Sequence, residues 1–315
     1  MTNKCLYCYQ ENKSGVKDFH PGCSKKLFGT EEPPVLDYSF SEMAKLAEKV
    51  ISTSVTVPGV QAKLSLHLDK KGGKPSKLTL VGLWGDFILK PPTENYPQLP
   101  ENEDLSMHLA ELFKINVVPH SLIKLKSGEL AYITKRVDRD KQGKLQMEDF
   151  CQLSERLTED KYKASMEQVG KLILNYSSNP ILDALTFFEV TVFSFLTGNA
   201  DMHLKNFSLL DYRNGMTGLS PAYDLLSTRL VIPEKDDNEE MALMLNGRKR
   251  NFKLNDFYGF GERLKLTEKQ IQNSLNKFSK QLDKALDFVD YSFLSDEFKG
   301  SFKELIQIRA DRLKI

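Results

Sequence analysis

The stretch that decides the fold of this chain runs from Thr197 to Ser208 and reads Thr-Gly-Asn-Ala-Asp-Met-His-Leu-Lys-Asn-Phe-Ser. It places a carboxylate (Asp201), a lysine (Lys205) and a carboxamide (Asn206) close together, directly after a long apolar segment. A second carboxylate, Asp224, follows downstream. An Asp, an Asn five residues later and a further Asp form the polar set that phosphoryl transfer uses. In that chemistry the first Asp orients the attacking hydroxyl and accepts its proton, while the Asn and the second Asp hold Mg²⁺.

Each of these two clusters also has an ordinary interpretation. Asp and Asn favour turns and helix N-termini, so either cluster alone is adequately explained by loop and cap residues. Both clusters in this order favour a phosphoryl-transfer site over incidental turn residues.

The composition limits the classes of protein to consider. A chain of 315 residues can form one large or two modest domains with a proper core. Lys plus Arg number 44 against 43 Asp plus Glu, and a net charge of +1 carries no signature of a nucleic-acid binder. The N-terminus lacks the apolar core of a signal peptide, and the most apolar stretch, Ile181 to Leu196, is interrupted by Asp183 and Glu189. We therefore expect a cytoplasmic protein without membrane association.

Three of the four cysteines lie near the N-terminus, where Cys5-x-x-Cys8 is followed by His20-x-x-Cys23. The two-residue gap in each pair lets both side chains reach one tetrahedral ion, for which Zn²⁺ is the natural choice. In a reducing cytoplasm this spacing favours a metal over a disulfide. An unstructured N-terminus with incidental thiols is the alternative. Because this segment precedes the rest of the chain, we expect zinc loss to leave activity elsewhere in place.

The periodicity of apolar residues divides the chain into two parts. Alternation predicts strands in the first part, at residues 54–68 with a bend at Pro58-Gly59, 77–81, 86–90, 122–125 and 130–134, with helices at 41–51 and from Asp104. Helical spacing dominates after Arg139, at residues 148–154, 165–173, 181–197, 267–291 and 301–314. The pattern predicts an α+β protein with a Cys/His segment at 1–30, a strand-rich lobe at 31–139 and a helical lobe at 140–315.

Five segments, taken together and in order, resemble the HipA family, the serine/threonine protein kinase toxins of bacterial toxin–antitoxin pairs. The likeness extends over roughly residues 50 to 315. The resemblance implies a two-lobed protein-kinase-like fold with a strand-rich N-lobe, an all-helical C-lobe and a small N-terminal Cys/His knuckle. The segments are 55–63 (VTVPGVQAK), Lys90, 135–139 (KRVDR), 199–206 (NADMHLKN) and 221–226 (PAYDLL).

The resemblance also implies a role for each matched residue. Asp201 is the implied catalytic base, Asn206 and Asp224 are the implied Mg²⁺ ligands, and Lys90 is implied to grip the α- and β-phosphates of ATP. The other implied nucleotide-binding residues are Pro58, Gly59, Val60, Gln61, Ala62 and Lys63 over the phosphates, Lys135, Arg136 and Val137 beside the adenine, His203, Leu204 and Lys205 beside the nucleotide, and Tyr223, Leu225 and Leu226 around Asp224. Glu103 is a candidate partner for Lys90, or simply an acid at a helix N-terminus.

The resemblance further implies regulation and partners. Thr56, with Ser54 nearby, stands where family members carry a serine that they autophosphorylate, so self-modification is expected to silence the kinase. The expected partners are a helix-turn-helix antitoxin, a separate small protein in place of the extra N-terminal domain of longer members, and a protein substrate such as an aminoacyl-tRNA synthetase. DNA contact is expected only through the antitoxin.

Two other functions remain open on the sequence. A small-molecule kinase of the aminoglycoside or choline kinase type uses the same Asp, Asn and Asp, but leaves residues 57–63 unexplained. A non-catalytic module that binds nucleic acid or a partner protein would need neither Asp201 nor Asp224, and both are present.

Overall fold

The computed structural model describes residues 4–12, 18–53, 61–70, 76–81 and 85–315. The chain forms two compact units. The first unit consists of residues 1–104, 118–136 and 291–294, and the second of residues 105–117, 137–290 and 295–315.

The first unit is built on a five-stranded antiparallel sheet with the strand order β2-β1-β3-β5-β4. On β1, Leu64, Leu66 and Leu68 are buried while His67 is exposed, which is the period-two pattern of a half-buried strand. The predicted strands at 77–81 and 86–90 and the predicted hairpin are confirmed. The strands are β1 Leu64–Asp69, β2 Lys77–Val81, β3 Phe87–Lys90, β4 His120–Lys124 and β5 Leu130–Lys135.

The helices that begin within the described part of the first unit are α1 Pro21–Phe28, α2 Phe40–Thr53 and α3 Leu99–Leu112. No sequence pattern predicted α1, and the predicted start of α3 at Asp104 is five residues too late. The helix begins earlier although Pro100 precedes Asp104, because Pro100 lies in the first turn of α3, where a missing N–H costs nothing. Glu103 is therefore not at the very start of the helix, as a simple N-terminal acid would be.

The second unit is mostly helical. Its central helix, α6, contacts α5, α7 and α9. The helix contributes Phe187, Phe193 and Phe195, all fully buried, to a phenylalanine-rich core. The predicted helices at 165–173, 181–197 and 267–291 are confirmed to within a few residues at their ends, and the helix predicted at 301–314 begins five residues earlier, at Asp296. The helices are α4 Phe150–Leu153, α5 Met166–Tyr176, α6 Pro180–Thr197, α7 Leu254–Arg263, α8 Glu268–Asp290 and α9 Asp296–Leu313.

Short strands interrupt the helices of the second unit, and the sequence analysis had expected none there. A three-stranded sheet has the order β10-β9-β8, and Glu148 and Asp149 belong to it rather than to the predicted helix, which begins only at Phe150. Strands of two to four residues are too short to show an alternating pattern. The predicted α+β class is confirmed with this addition. The strands are β6 Arg139–Asp140, β7 Gly143–Lys144, β8 Met147–Asp149, β9 Ser208–Asp211 and β10 Thr217–Leu219.

Among the described residues, one helix, α6, is long and apolar enough to cross a membrane on length and composition alone. Most of α6 is buried inside the second unit, and buried core helices meet the same two criteria. The apolarity of α6 is accounted for by its place in the core.

Candidate active site

The Asp201 segment begins where α6 ends. Gly198 ends the helix with φ of +70°, a left-handed conformation that glycine adopts without strain. A Cβ atom at this position would lie 2.7 Å from the Leu305 side chain and 3.0 Å from that of Arg229. Both the turn and the close packing therefore require glycine, and together they set where the following loop begins.

Hydrogen bonds hold Asp201 and Asn206 in one tight loop. The Asp201 N–H donates to Asn199 Oδ1 at 3.0 Å, and the Asp201 carbonyl accepts from the Asn206 side-chain Nδ2 at 2.9 Å. Met202 and Leu204 are buried and anchor the loop in the core. The five-residue spacing of Asp201 and Asn206 thus reflects a loop in which Asn206 reaches back to the backbone of Asp201.

The Asp201 carboxylate accepts a hydrogen bond from a tyrosine. Tyr162 Oη donates to Asp201 Oδ1 at 2.6 Å. Burial, and then the nearby Asp201 carboxylate, raise the pKa of Tyr162, so the phenol stays protonated as a donor. The sequence analysis did not assign Tyr162, because it lies 39 residues from Asp201 and no local spacing links the two.

The β9–β10 hairpin returns the chain toward the Asp201 loop. Ser220 N–H donates to the Ser208 carbonyl at 2.9 Å, and Tyr223 Oη donates to the Lys205 carbonyl at 3.1 Å. Tyr223 also hydrogen-bonds Ser208 Oγ at 2.5 Å. The interval between the two sequence clusters is therefore occupied by a hairpin that returns residues 222–225 to the loop.

Asp224 has an unusual backbone. Its φ of +57° lies in the left-handed region, which non-glycine residues rarely adopt, although Asp tolerates it better than most. Such conformations cost free energy and tend to occur where function requires them. Leu225 beside it is fully buried and Leu226 is half-buried, so Leu225 anchors this segment in the core.

His203 lies near both carboxylates. Burial lowers the pKa of His203 to about 4, and the charges of Asp201 and Asp224 oppose that shift. The imidazole is therefore neutral near pH 7, and its ring meets the edge of the Tyr162 ring at a centroid distance of 5.0 Å. The common influence of Asp201 and Asp224 on one imidazole indicates that the two carboxylates lie in the same part of the second unit.

Lys205 forms an ion pair that the sequence analysis did not assign. Its Nζ lies 2.8 Å from Asp149 Oδ2, while Asp149 Oδ1 accepts from the Gln152 N–H and caps α4. Asp149 is paired with Ser208 in the β8–β9 register, which brings it to the loop. The Asp-x-x-Gln capping pattern was visible in the sequence, but its pairing with Lys205 was not.

The side chains of this site suit a hard divalent cation. Asn206 is largely buried, and because its Nδ2 donates to the Asp201 carbonyl, Oδ1 is the atom able to bind a cation. Carboxylate and amide oxygens are the ligands that Mg²⁺ prefers. Asn206 and Asp224 therefore fit the metal role that the resemblance implies for them.

In the first unit, Lys90 and Glu103 form a buried ion pair. Lys90 Nζ lies 2.5 Å from Glu103 Oε1, and the two side chains are 5% and 1% exposed. Lys90 Nζ also lies 5.4 Å from the centre of the Tyr132 ring on β5. A lysine that is buried against a carboxylate in this way differs from the solvated lysine that is usual at the end of a strand.

The remaining predicted nucleotide residues are only partly within the described chain. Gln61 Nε2 donates to the Pro91 carbonyl at 2.9 Å and Ala62 is buried, while Lys63 is exposed. Lys135 ends β5, Arg136 N–H donates to the Asp86 carbonyl at 2.9 Å, and the boundary between the units falls between Arg136 and Val137. Ser54, Thr56, Pro58, Gly59 and Val60 lie outside the described residues.

The four Cys and His residues predicted to bind zinc come together in the first unit. The ligand atoms of Cys5, Cys8, His20 and Cys23 all lie within 4.8 Å of one another. Thiolates on a tetrahedral zinc ion lie about 3.8 Å apart, given Zn–S bonds of about 2.3 Å. His20 Nδ1 lies 3.4 Å from Cys8 Sγ, and its Nε2 lies 3.1 Å from the Glu11 carbonyl. With the proton on Nε2, Nδ1 is the nitrogen available to a metal.

The comparison with protein families decides the identity of the chain. Residues 55–286 match the family described as the HipA-like C-terminal domain. The chain belongs to the HipA-like C-terminal domain family. The match includes the Asp201 loop and Asp224, and the Cys/His segment lies before it.

Relatives of this HipA-like chain are named as kinases. The Sinorhizobium fredii protein named "Putative kinase Y4dM" is 32% identical over 234 residues, which cover 70% of this chain and 55% of that protein. The Shewanella oneidensis serine/threonine-protein kinase toxin HipA is 24% identical over 258 residues, 74% of this chain and 56% of that protein. The matched part of the chain thus spans about half the length of these relatives.

A solved structure shows the same fold. The HipA chain in the Shewanella oneidensis complex of HipA, HipB and operator DNA aligns with a TM-score of 0.69 at 21% identity. The alignment covers 88% of this chain and 71% of that chain. The HipA-like fold expected from the sequence is confirmed.

Proposed function

We propose that this chain is an ATP- and Mg²⁺-dependent serine/threonine protein kinase that acts as the toxin of a bacterial toxin–antitoxin pair. The observation that carries the proposal is the arrangement of Asp201 and Asn206 in one loop, with Asp224 returned to the same region by the β9–β10 hairpin. The names of the relatives support a kinase.

The residues of the second unit supply the chemistry of transfer. The hydroxyl of a Ser or Thr attacks the γ-phosphorus, and Asp201 orients it and accepts its proton as ADP leaves. Tyr162 donates a hydrogen bond to Asp201 Oδ1, so we assign Oδ2 as the atom that accepts the proton of the substrate hydroxyl. Lys205, oriented by Asp149, is the cation assigned to the transferred phosphate.

The residues assigned to nucleotide and metal complete the proposal. Asn206 and Asp224 hold Mg²⁺, and His203, which is neutral, lies near both carboxylates without adding a competing positive charge. Lys90, oriented by Glu103, takes the α- and β-phosphates. Bound Mg²⁺ offsets the negative charge of the phosphate oxygens.

The proposed partners follow the family. The solved Shewanella complex contains HipB and operator DNA, and we assign to this chain a small helix-turn-helix antitoxin that carries the contact with DNA. The net charge of +1 supports a chain that does not itself bind DNA. The proposed substrate is a cytoplasmic translation component such as an aminoacyl-tRNA synthetase.

Phosphoproteomics after induced expression tests this function. Cells that express the intact chain are compared with cells that express Asp201→Asn, and the proposal expects new Ser or Thr phosphorylation only with the intact chain. ATP consumption with an aminoglycoside or choline, and none with protein, would instead identify a small-molecule kinase. Identical phosphoproteomes together with no ATP turnover would indicate that the chain is a non-catalytic binding module.

Self-phosphorylation at Thr56 or Ser54 is expected to switch the kinase off. A phosphate there adds about −1.5 to −2 charges. Because the resemblance implies that these residues lie close to the phosphates of ATP, repulsion between like charges is expected to oppose nucleotide binding. Incubation with Mg-ATP should therefore add phosphate to one of these residues and weaken ATP binding, as measured by mass spectrometry and nucleotide titration.

Two variants control the test of this switch. A Ser54→Ala, Thr56→Ala double variant should keep its ATP affinity after incubation, and Asp201→Asn should remain unmodified because it cannot transfer phosphate. Phosphate at other positions, or unchanged ATP affinity after modification at these two, would contradict the switch but not the kinase assignment.

We also assign Zn²⁺ to the cluster of Cys5, Cys8, His20 and Cys23. Burial, together with the crowding of thiols, raises the pKa of Cys23 to about 12, so without a cation the Cys23 thiol stays protonated. A bound metal would favour the thiolates instead. Elemental analysis of protein purified without chelators should find one zinc per chain.

Single substitutions test the zinc assignment. Cys8→Ser and Cys23→Ser should each lose the metal because each removes one of four ligands. Cys151→Ser is the matched control, since this fourth cysteine lies in α4 of the second unit, and it should retain zinc. Absence of metal from the unmodified chain would rule the assignment out.

A further inference from the structure

The turn that brings the first two cysteines together also carries Tyr9. The Tyr9 N–H donates to the Cys5 carbonyl at 2.9 Å, and Tyr9 has a φ of +62°. A bulky side chain rarely adopts this left-handed conformation unless its surroundings enforce it. The conformation of the Cys5–Cys8 turn therefore sets the direction in which the Tyr9 side chain leaves the backbone.

The Tyr9 side chain reaches α3 inside the first unit. It is 1% exposed, its ring packs against the edge of Phe293 at 5.1 Å, and its Oη donates to Asp104 Oδ2 at 2.7 Å. The Cys/His segment is thus joined to α3 through a buried, charge-assisted hydrogen bond.

Asp104 lies next to the ion pair of Lys90. It is fully buried, and its second oxygen, Oδ1, lies 2.6 Å from His120 Nδ1 on β4. The preceding residue of α3 is Glu103, which pairs with Lys90. The hydrogen bonds to Asp104 therefore restrain the turn of α3 that presents Glu103 to Lys90.

The Cys/His segment also contacts β4, which lies at the edge of the five-stranded sheet. The Leu6 carbonyl accepts from Ser121 Oγ at 3.0 Å and from the Leu122 N–H at 3.4 Å. Asp18 forms an ion pair with Lys124 of β4. These contacts cover an edge strand and hold the segment in one register against the first unit.

We infer that zinc binding by the Cys/His segment positions Glu103 for its pairing with Lys90. Tyr9 and Asp104 are the positioning residues that connect the metal site to this ion pair. The inference rests on the proposed kinase function, in which Lys90 binds the ATP phosphates. Without the metal, Cys5, Cys8, His20 and Cys23 lose the common ion that fixes their side chains relative to one another, so the turn that directs Tyr9 toward Asp104 is less restrained. This coupling replaces the expectation that zinc loss leaves activity in place.

Tyr9→Phe tests the inference with a small change, since it removes one hydroxyl and keeps the buried ring. The variant should retain zinc, while its Kd and KM for ATP rise about tenfold and kcat at saturating ATP changes less. Tyr38→Phe is the matched control, because the Tyr38 hydroxyl contacts the Leu80 N–H on β2 instead of α3, and its ATP affinity should stay at the wild-type value.

Loss of the metal should act through the same residues. Cys23→Ser should lose zinc and weaken ATP binding at least as much as Tyr9→Phe. Adding Tyr9→Phe to Cys23→Ser should then have little further effect, because both changes interrupt one chain of contacts. Two independent, additive effects on ATP affinity would overturn the inference.

Hydrogen exchange separates this inference from the proposed function. Zinc removal or Tyr9→Phe should speed amide exchange in α3 around Glu103 and Asp104, whether or not the chain turns over ATP. If ATP does not bind to any variant, the kinase proposal fails, and faster exchange still supports the link between the segment and α3. Unchanged exchange, or unchanged ATP affinity in a chain that binds ATP, overturns it.

Discussion

Replacing Asp201 by Asn is expected to lower phosphate transfer by about 10²–10⁴-fold, the usual contribution of a positioned general base. At about 1.4 kcal/mol per factor of ten, this corresponds to roughly 3–5 kcal/mol of activation free energy. An amide cannot accept the proton of the attacking hydroxyl, although it still accepts the hydrogen bond from Tyr162. Single-turnover transfer to a protein substrate measures the loss.

The fold should survive this change, so that activity alone responds. The amide is nearly isosteric with the carboxylate, and the contacts of the Asp201 backbone with Asn199, His203 and Asn206 remain. Asp211→Asn is a matched control in the same unit, because this carboxylate lies on β9 and accepts from Thr217 Oγ1. Unchanged transfer in Asp201→Asn, with normal circular dichroism, would remove Asp201 from the mechanism.

Removing Glu103 should have the largest effect on stability of the changes considered. Glu103→Ala takes the carboxylate away from a lysine side chain that is 5% exposed. Breaking a buried ion pair by removing one partner typically costs about 3–5 kcal/mol, because the remaining charge stays desolvated. Urea unfolding should show a correspondingly lower midpoint.

A double variant separates the structural role of the pair from its role with ATP. Lys90→Met with Glu103→Leu removes both charges and keeps much of the volume, and such replacements are often neutral for stability. The double variant should regain most of the stability that Glu103→Ala loses, yet bind ATP poorly because it lacks the lysine assigned to the phosphates. Restored ATP affinity in this variant would contradict the role of Lys90.

An exposed ion pair provides the comparison for stability. Lys25 and Glu31 lie 3.3 Å apart with side chains 66% and 68% exposed, so solvent already screens both charges. Glu31→Ala should therefore leave the unfolding midpoint almost unchanged. If Glu103→Ala also left the unfolding midpoint almost unchanged, the Lys90–Glu103 pair would not behave as a buried ion pair.

Patterns within single segments predicted most of the fold. The alternation of Leu64, Leu66 and Leu68 was sufficient to predict a strand, because side chains of a strand face opposite sides of its sheet in turn. Helical spacing identified α6 and α8 for the equivalent reason. The short strands β8 to β10 escaped prediction because each is too short to show a period, and because β8 pairs with β9, which lies far from it in sequence.

The site was predicted to the extent that its residues are neighbours in sequence. Asp201 and Asn206 were recognised by their spacing, and the spacing is meaningful because the Asn206 side chain bonds the Asp201 backbone. The cluster of Cys5, Cys8, His20 and Cys23 was likewise predicted from two short gaps. Local geometry of this kind is set by a few adjacent dihedral angles, so the order of residues alone is informative.

The tertiary structure alone decided the contacts that join distant segments. Tyr162 meets Asp201 across 39 positions, Lys205 meets Asp149 across 56, and Tyr9 meets Asp104 across 95. No spacing rule connects such residues, because their separation depends on how strands and helices pack. The sequence by itself determined the residue types that the proposed phosphoryl transfer and metal binding need, whereas packing determined which side chains contact Asp201, Lys205 and α3.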